Sequence, residues 1–182
     1  VRTNSEMEEI AEEIRATGAA VATVACDVRN EQQVEALVAT AVTKFGRLDI
    51  IVNNAGIGYL MELVTEMDEE KWDAVLDVNL KGPFFLTQAI AGWMIEQREA
   101  DPARSPSVVF ITSISAESAT PDRGGYCMAT AASSMSARLF AVRLAEHSIP
   151  VYEVRPGIIA PDMTAPVKEK YDAFIADGNL LD

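Results

Sequence analysis

The segment 107–155 constrains the fold of this chain more than any other stretch, because two strand patterns flank one long helix pattern. It opens with an apolar, β-branched run at 108–111, typical of a buried strand, and hydroxyl side chains follow at once. After a loop rich in turn residues, Tyr126 opens a stretch in which apolar residues recur at helical spacing. A second short strand pattern, at 151–154, follows Pro150. Strand, helix, strand is the repeating unit of a parallel sheet.

The rest of the chain continues this alternation. Helix patterns follow Ser5, Asn30 and Asp68, and each of these side chains is a predicted N-cap because it can accept a hydrogen bond from a free backbone amide. Apolar strand patterns occupy 19–26 and 48–52. Alternating helices and strands favour a doubly wound parallel sheet. We therefore predict that all 182 residues belong to one α/β domain.

The composition argues against several classes of function. A formal net charge of −13 disfavours nucleic acids and anionic membranes as partners, because both are polyanions. No apolar run approaches the ~20 residues of a membrane span and no basic-plus-apolar stretch opens the sequence, so we expect neither a span nor a leader. Cys26 and Cys127 lack metal-ligand spacing, so we predict no metal site and two reduced thiols. These features together predict a cytoplasmic protein.

Several motifs stand in the order and spacing of one known family. Ser113 follows a strand pattern and Tyr126 opens the next helix pattern; upstream lie an Asn-Asn-Ala-Gly stretch at 53–56 and an Asn-Leu-Lys-Gly stretch at 79–82. In these motifs the chain resembles the short-chain dehydrogenase/reductase family, which includes many 3-oxoacyl-carrier-protein reductases. The resemblance implies a Rossmann-like fold and the interconversion of a secondary alcohol and a carbonyl with NAD or NADP.

The resemblance also implies roles for three side chains. Tyr126 would be the general acid/base at the substrate oxygen, Ser113 would hydrogen-bond and orient that oxygen, and Asn79 would hold a water in a proton relay. Each residue alone has an ordinary structural explanation, but their combination favours a functional site. Asn79 is the most informative, because a buried amide within a helix needs a partner. We expect a helix bend near Gly82 and Pro83, with bound water, to supply one.

The cofactor would lie at the strand exits, where small residues let a dinucleotide approach the backbone. The resemblance implies cofactor contacts by Asp27, Val28, Asn53, Ala55, Gly56, Pro156, Gly157 and Ile159. An ordinary aspartate before a helix explains Asp27 about equally well, and a simple strand-exit turn explains Pro156 and Gly157. Arg2 slightly favours NADP, because an arginine can hold a 2′-phosphate; an exposed arginine without a ligand is the alternative.

Two departures from the family pattern fall on the nicotinamide side. The family's lysine, one helical turn after the catalytic tyrosine, is replaced by Thr130. Loss of a nearby opposite charge should reduce the ionised phenol of Tyr126 by about 10- to 1000-fold, unless Arg123 compensates. Pro161 stands where members usually have a threonine that bonds the carboxamide. We therefore expect a poor catalyst, and the rival hypothesis is a non-catalytic binding or scaffold protein of the same fold.

The family's fold opens with a strand and a glycine-rich turn, and neither pattern occurs at the start of this sequence. The G-x-G at 56–58 lacks a third glycine, opens no helix at once and matches the family's Asn-Ala-Gly loop, so we reject it as the phosphate loop. We expect ~35 further residues upstream, the length of one βα unit. We also expect the family's last helix and strand to follow Asp182.

Two kinds of partner are predicted. Family members are commonly dimers or tetramers, so the resemblance implies a homodimer or homotetramer through the helices at 68–97 and 126–147. Met135, Leu139 and Phe140 would contribute, although a core-facing stripe explains them equally well. The substrate is expected to be a carbonyl or alcohol. An acidic carrier protein would need a local basic patch on a chain of charge −13, so a small soluble carbonyl compound fits at least as well as a carrier-bound 3-oxoacyl group.

Overall fold

The computed structural model describes residues 4–58 and 63–157, which form helices around a parallel sheet. In chain order the elements are α1 (Asn4–Ala16), α2 (Glu31–Phe45), β1 (Ile50–Asn53), α3 (Glu69–Leu76), a π-helical turn (Asp77–Lys81), α4 (Gly82–Ala100), β2 (Ser107–Ile111), a 3₁₀ turn (Ile114–Ala116), α5 (Gly124–Leu144), a second 3₁₀ turn (Ala145–His147) and β3 (Val151–Val154). Within these residues, no helix has both the length and the apolar character needed to cross a bilayer.

The three strands form one parallel sheet in the order β1-β2-β3, which confirms the predicted strand–helix–strand unit. In its register Asn53 pairs with Phe110, and Phe110 pairs with Glu153. Paired side chains of neighbouring strands lie on the same face of a sheet. Two polar side chains therefore lie in the same core-facing row as Phe110.

The hydrophobic core lies between one face of the sheet and helices α4 and α5, with a contribution from α2. Its buried residues are Val34, Ile51, Leu86, Ile90, Ala91, Met94, Val108, Phe110, Ala137, Leu144 and Ile149. The opposite face of the sheet carries exposed apolar side chains within the described part of the chain: Ile50, Val52, Tyr152 and Val154. The helices thus pack on the face of the sheet that carries the buried side chains.

Two of the three N-caps that the sequence predicted are confirmed. Asn30 and Asp68 each accept a hydrogen bond from the backbone amide three residues later, at 3.1 Å in both cases. Gly46 ends α2 with φ +71°, in the left-handed region that favours glycine. Ser5 lies inside α1 rather than ahead of it, so its prediction as an N-cap is wrong.

The strand predicted at 19–26 is not formed: the segment runs on from α1 towards α2 without strand structure. An extended segment becomes a strand only where a neighbour completes its backbone hydrogen bonds. In the described structure β1 pairs with β2 alone, and the sheet does not continue to this segment. Cys26 nevertheless packs against the hydrophobic core. This apolar residue of the segment therefore contributes to the core although the segment pairs with no described strand.

The helix predicted from Asp68 to Gln97 is interrupted close to the expected position. The break is the π-helical turn Asp77–Lys81, which precedes Gly82 and Pro83 instead of coinciding with them. Pro83 lies in the first turn of α4, directly after the π-helical turn, and it has no N–H to donate to that preceding turn. Asn79 lies in the middle of the π turn, and such turns often mark functional sites.

Candidate active site

The loop after β1, the π-helical turn and helix α5 are joined by hydrogen bonds of Asn79. Its side-chain Oδ1 accepts from the amide of Ile57 at 2.8 Å, and its Nδ2 donates to the carbonyl of Ile57 at 2.7 Å. The backbone carbonyl of Asn79 accepts from the Ser133 hydroxyl of α5 at 2.6 Å. The side chain of Asn79 thus bonds the backbone N–H and C=O of Ile57 in the β1 exit loop, and its role in holding a water stays a prediction.

Tyr126 lies in the first turns of α5, with its ring against the same loop. A Cβ added to Gly58 would lie 3.3 Å from Cδ2 of Tyr126, so the absence of a side chain lets the ring approach the loop backbone. A Cβ on Gly125 would lie 3.4 Å from the sulfur of Met67 and 3.7 Å from the Trp72 ring. Close packing thus fixes the start of α5 against the loop after β1 and helix α3.

Ser113 follows β2 and caps the 3₁₀ turn that leads away from the sheet. It is buried, and its hydroxyl oxygen accepts from the amide of Ser115 at 3.1 Å. The next amide, that of Ile114, donates to the carbonyl of Pro156 at 3.2 Å. The 3₁₀ turn packs against α5, the helix that carries Tyr126. The structure therefore places Ser113 and Tyr126 on two elements in direct contact.

Thr130 is 4 % exposed and its hydroxyl faces its own helix. Its Oγ1 donates to the carbonyls of Tyr126 at 2.8 Å and Cys127 at 3.0 Å, a shared bond typical of threonine within a helix. A hydroxyl has a single proton to donate, and that proton is used here. Thr130 therefore supplies neither a charge nor a free donor at the position where the family has a lysine.

Asn53 ends β1 on the core-facing side. Its Nδ2 donates to the hydroxyl of Thr87 in α4 at 2.9 Å, and this hydroxyl donates in turn to the carbonyl of Pro83 at 2.7 Å. The side-chain Oδ1 of Asn53 is buried and has no hydrogen-bond partner among the described residues. A buried acceptor without a donor is costly, so this atom is a place where a further donor would stabilise the site.

The predicted adenine side is built by the segment before α2. The Asp27 carboxylate accepts from the side chain and the backbone amide of Arg29, and these hydrogen bonds lower its pKa to about 2. Val28 packs against the start of α4, where a Cβ on Gly82 would lie 2.8 Å from Val28 Cγ2. Asp27 is thus ionised near neutral pH, and Val28 is held by direct contact with α4.

The other predicted cofactor residues lie at strand exits. Ala55 and Gly56 are exposed after β1, and a Cβ on Gly56 would lie 3.7 Å from the Asn79 amide oxygen. Pro156 and Gly157 follow β3, and a Cβ on Gly157 would meet no atom of the described residues within 4 Å. Ile159, together with Arg2 and Pro161, lies outside the described residues. Asn79, Gly56, Tyr126, Ser113 and Pro156 are therefore brought to one end of the sheet, whereas Asp27 and Val28 lie at the start of α4.

The sequence reasoning missed the residues that connect these groups. Ile57 and Ser133 bond Asn79, and Glu153 and Arg155 of the β3 segment bond the residues around Ser113. Ile57 and Ser133 leave no sequence signal, because they act through backbone groups and a single hydroxyl. Glu153 and Arg155 did leave one: two opposite charges alternate at the end of an otherwise apolar strand, and period-two spacing puts them on one face.

The described part of the chain has a parallel sheet whose strands are connected by helices, with an amide, a hydroxyl and a phenol near the strand exits, an arrangement typical of a Rossmann-like α/β domain. A family model described as short chain dehydrogenase matches residues 1–172, and the chain belongs to this family. The predicted resemblance and fold class are confirmed.

Relatives and solved structures agree with this assignment. The chain is 36% identical over 152 residues to the 3-oxoacyl-[acyl-carrier-protein] reductase of Synechocystis sp., covering 84% of this chain and 59% of the relative. It is 31% identical over 174 residues to the sepiapterin reductase of Chlorobaculum tepidum, covering 96% and 68%. It superposes on the crystal structure of the 3-oxoacyl-[acyl-carrier protein] reductase from Brucella melitensis in complex with NAD with a TM-score of 0.86 and 39% identity, covering 94% and 67% of the two chains. The chain thus spans about three fifths of the length of the Synechocystis relative.

Proposed function

We propose that the complete protein is an NAD- or NADP-dependent oxidoreductase that interconverts a secondary alcohol and a carbonyl. The observation that carries the proposal is the junction built by Asn79, whose hydrogen bonds hold the β1 exit loop and α5 together. This junction packs the ring of Tyr126 onto Gly58, beside the predicted cofactor loop. Family membership supports the reaction class, and the packing at this junction supports Tyr126 as its proton donor.

The described residues fit a dinucleotide at the strand exits. Ala55, Gly56 and Gly157 offer backbone without bulky side chains, and the buried Oδ1 of Asn53 accepts a hydrogen bond from none of the described residues. Asp27 is ionised and could accept from an adenine amino group or a ribose hydroxyl. When bound, the nicotinamide would supply the hydride. The choice between NAD and NADP stays open, and Arg2 remains the reason to test NADP.

Three side chains would handle the substrate oxygen. Tyr126 would exchange a proton with that oxygen, and Ser113 would donate a hydrogen bond to it. The Ser113 oxygen accepts from Ser115, so its own proton remains available for donation. Asn79 would act mainly through its backbone carbonyl, which has a second lone pair beyond the bond from Ser133.

We infer that catalysis is weak, because the lysine position provides no charge. The Thr130 hydroxyl is committed to the carbonyls of its own helix. Arg123 immediately precedes α5, and its compensating role stays a prediction. The same observation favours the second candidate, a short-chain dehydrogenase-like protein that binds a dinucleotide without turnover. The two candidates differ in whether the phenol of Tyr126 transfers a proton.

The substrate class has two candidates. The Synechocystis and Brucella relatives are named for 3-oxoacyl groups on acyl-carrier protein, which favours a 3-oxoacyl thioester. The Chlorobaculum relative, at a similar identity, is named for sepiapterin, and the charge of −13 disfavours an acidic carrier. We propose a small carbonyl compound as the first choice and a carrier-bound 3-oxoacyl group as the second.

The proposal is tested on the complete protein with NADH and NADPH. Binding is measured by fluorescence titration, and reduction is measured with small ketones and with 3-oxoacyl thioesters, free and carrier-bound. We expect cofactor binding with slow turnover that Tyr126→Phe abolishes and Ser113→Ala lowers by about 100-fold or more. Binding without turnover above the Tyr126→Phe background would favour the non-catalytic candidate. Absence of cofactor binding would refute both.

We further propose that the protein is a homodimer or homotetramer in the cytoplasm. Helix α5 carries exposed apolar side chains at Met128, Met135, Leu139 and Val142, the last 80% exposed. Phe140 instead packs on the hydrophobic core. The alternative explanation, a stripe that faces the core, therefore applies to Phe140 but not to the exposed Met135 and Leu139. A contiguous apolar helix face typically marks a protein–protein interface.

The assembly is tested by sedimentation of the complete protein. We expect Leu139→Glu to shift the oligomer to a smaller species, because an unpaired charge would be buried at the interface. Ile14→Glu on α1, also at an exposed apolar residue, serves as the matched control and should leave the mass unchanged. A wild-type monomer at micromolar concentration would refute the proposal.

A further inference from the structure

A second polar cluster, separate from the Asn79 junction, lies behind Ser113. Its centre is Glu153 of β3, whose side chain is only 16 % exposed and lies in the core-facing row with Phe110. A carboxylate on that face is expensive to bury unless its oxygens are hydrogen-bonded and its charge is paired. Nothing in the reaction proposed above uses this residue.

Both oxygens of the Glu153 carboxylate are satisfied. Oε1 accepts from the Thr112 hydroxyl at 2.7 Å, and Oε2 accepts from Arg155 Nη2 at 2.9 Å and from the Ser134 hydroxyl at 3.1 Å. Burial acts to raise the pKa of this carboxyl, but hydrogen bonds from Arg155, Thr112 and Ser134 outweigh burial and hold that pKa below its ordinary value. The group is therefore a charged, fully bonded anchor between β2, β3 and α5.

Arg155 extends the anchor towards the loop after Ser113. Its Nη2 donates to both Glu153 and the Ser134 hydroxyl, the latter at 2.9 Å, and its Nη1 donates to Glu117. A planar guanidinium can join two carboxylates in a fixed geometry, which a lysine ammonium cannot reproduce. Arg155 thus ties the start of the β3 exit to the end of the 3₁₀ turn.

These contacts hold the segment 112–117, which contains Ser113, at both of its ends. Thr112 immediately precedes Ser113, and Glu117 immediately follows the 3₁₀ turn that Ser113 caps. On α5 the anchor holds Ser134, which lies two helical turns after Tyr126 on the same helix face. The cluster therefore connects the two elements whose relative position sets the distance between the alcohol and the phenol.

We propose that Glu153 and Arg155 are positioning residues that hold the Ser113 hydroxyl where it and Tyr126 can reach the same substrate oxygen. The inference rests on the proposed function in that Ser113 and Tyr126 act on one substrate oxygen. Neither Glu153 nor Arg155 touches that oxygen. Their effect would be on geometry, and a misplacement of about 1 Å at a reacting group lowers turnover by about 100-fold.

The test compares Glu153→Gln, Arg155→Lys and Thr112→Val with wild type in the complete protein. Glu153→Gln removes the negative charge and keeps the shape of the side chain. Arg155→Lys keeps the positive charge and removes the planar guanidinium. Thr112→Val removes one hydrogen bond to Glu153. The matched control is Asp49→Asn, which breaks the Arg47–Asp49 ion pair just before β1. Each variant is measured for kcat, KM, cofactor affinity, thermal midpoint and amide exchange of the 3₁₀ turn.

We expect Glu153→Gln to lower kcat by about 10- to 100-fold while KM and cofactor affinity change less than about twofold. Amide exchange at 114–117 should accelerate at least tenfold, and Arg155→Lys and Thr112→Val should change both quantities in the same direction by less. Unchanged kcat and exchange in Glu153→Gln would overturn the proposal. So would equal losses of kcat and cofactor affinity that track the thermal midpoint, because these indicate general destabilisation. If wild type shows no turnover, the proposed function fails, and the exchange measurement alone then decides whether the cluster holds the Ser113 segment.

Discussion

Replacement of Thr130 by lysine is the most direct test of why this site should be slow. Residue 130 lies one helical turn after Tyr126, and among the described residues the present side chain donates to the backbone carbonyls of its own helix. An ammonium within about 4–6 Å of a phenol favours the ionised form by about 10- to 1000-fold. Thr130→Lys should therefore raise kcat/KM for carbonyl reduction at least tenfold, provided that proton transfer limits turnover.

The introduced ammonium also needs a place at a position that is now buried. Overpacking of this kind costs about 1–3 kcal/mol of stability, so the thermal midpoint should fall although activity rises. The carbonyl of Asn79 is a candidate acceptor for this ammonium, because it already accepts from the hydroxyl of Ser133, which lies one helical turn after residue 130. A gain in activity alongside a loss of stability would separate the effect of charge from that of packing.

The assay is initial-rate reduction with NADH and NADPH across pH 6–10, with Thr130→Met as the control for chain length without charge. The lysine variant should gain activity chiefly at the low end of this range, and the methionine variant should gain none. Equal behaviour of the two variants would refute the reasoning. It would show either that charge at residue 130 does not reach the phenol or that Tyr126 is not the acid, and the non-catalytic candidate would then be favoured.

Gly82→Ala should destabilise the fold by about 1–3 kcal/mol and weaken cofactor binding, because its Cβ would lie 2.8 Å from Val28 Cγ2; urea unfolding and NADH titration measure both. Asn79→Ala should cost about 1–3 kcal/mol in urea unfolding, because it leaves the Ile57 amide and carbonyl without partners. The pKa of Glu153 is lower in the folded protein than in the unfolded chain, where it is about 4.3. The ionised carboxylate should therefore stabilise the fold above a pH of about 4.3, and this stabilisation should be lost as the pH falls through the folded pKa. The difference in unfolding free energy between wild type and Glu153→Gln should accordingly shrink on acidification.

Each of these predictions has its own control. A Cβ on Gly92 in the same helix would meet none of the described atoms within 4 Å, so Gly92→Ala should stabilise the fold by up to about 1 kcal/mol through helix propensity. An equal response at Gly92 and Gly82 would contradict the packing argument. Asn79→Asp keeps the acceptor for the Ile57 amide but loses the donor, and it should be intermediate. A difference between wild type and Glu153→Gln that is independent of pH would show that charge is not what the cluster uses.

The sequence by itself determined the family, the order of elements around the sheet and the identity of the chemical groups. Helix periodicity, the caps at Asn30 and Asp68 and the β-branched strand runs are local signals, because hydrogen bonds within a few residues set them. The replacement of the family lysine by Thr130 can also be read from the sequence alone. Local chemistry sufficed for each of these conclusions.

Only the tertiary structure decided how the groups are held. It paired the side-chain amide of Asn79 with the backbone of Ile57, and it left the segment 19–26, which was predicted as a strand, without strand structure. It also exposed the apolar stripe of α5 and buried a charged anchor at Glu153. The physical reason is common to all of them: a hydrogen bond or a packed face needs a partner that is distant in sequence, and only the folded chain selects which partner that is.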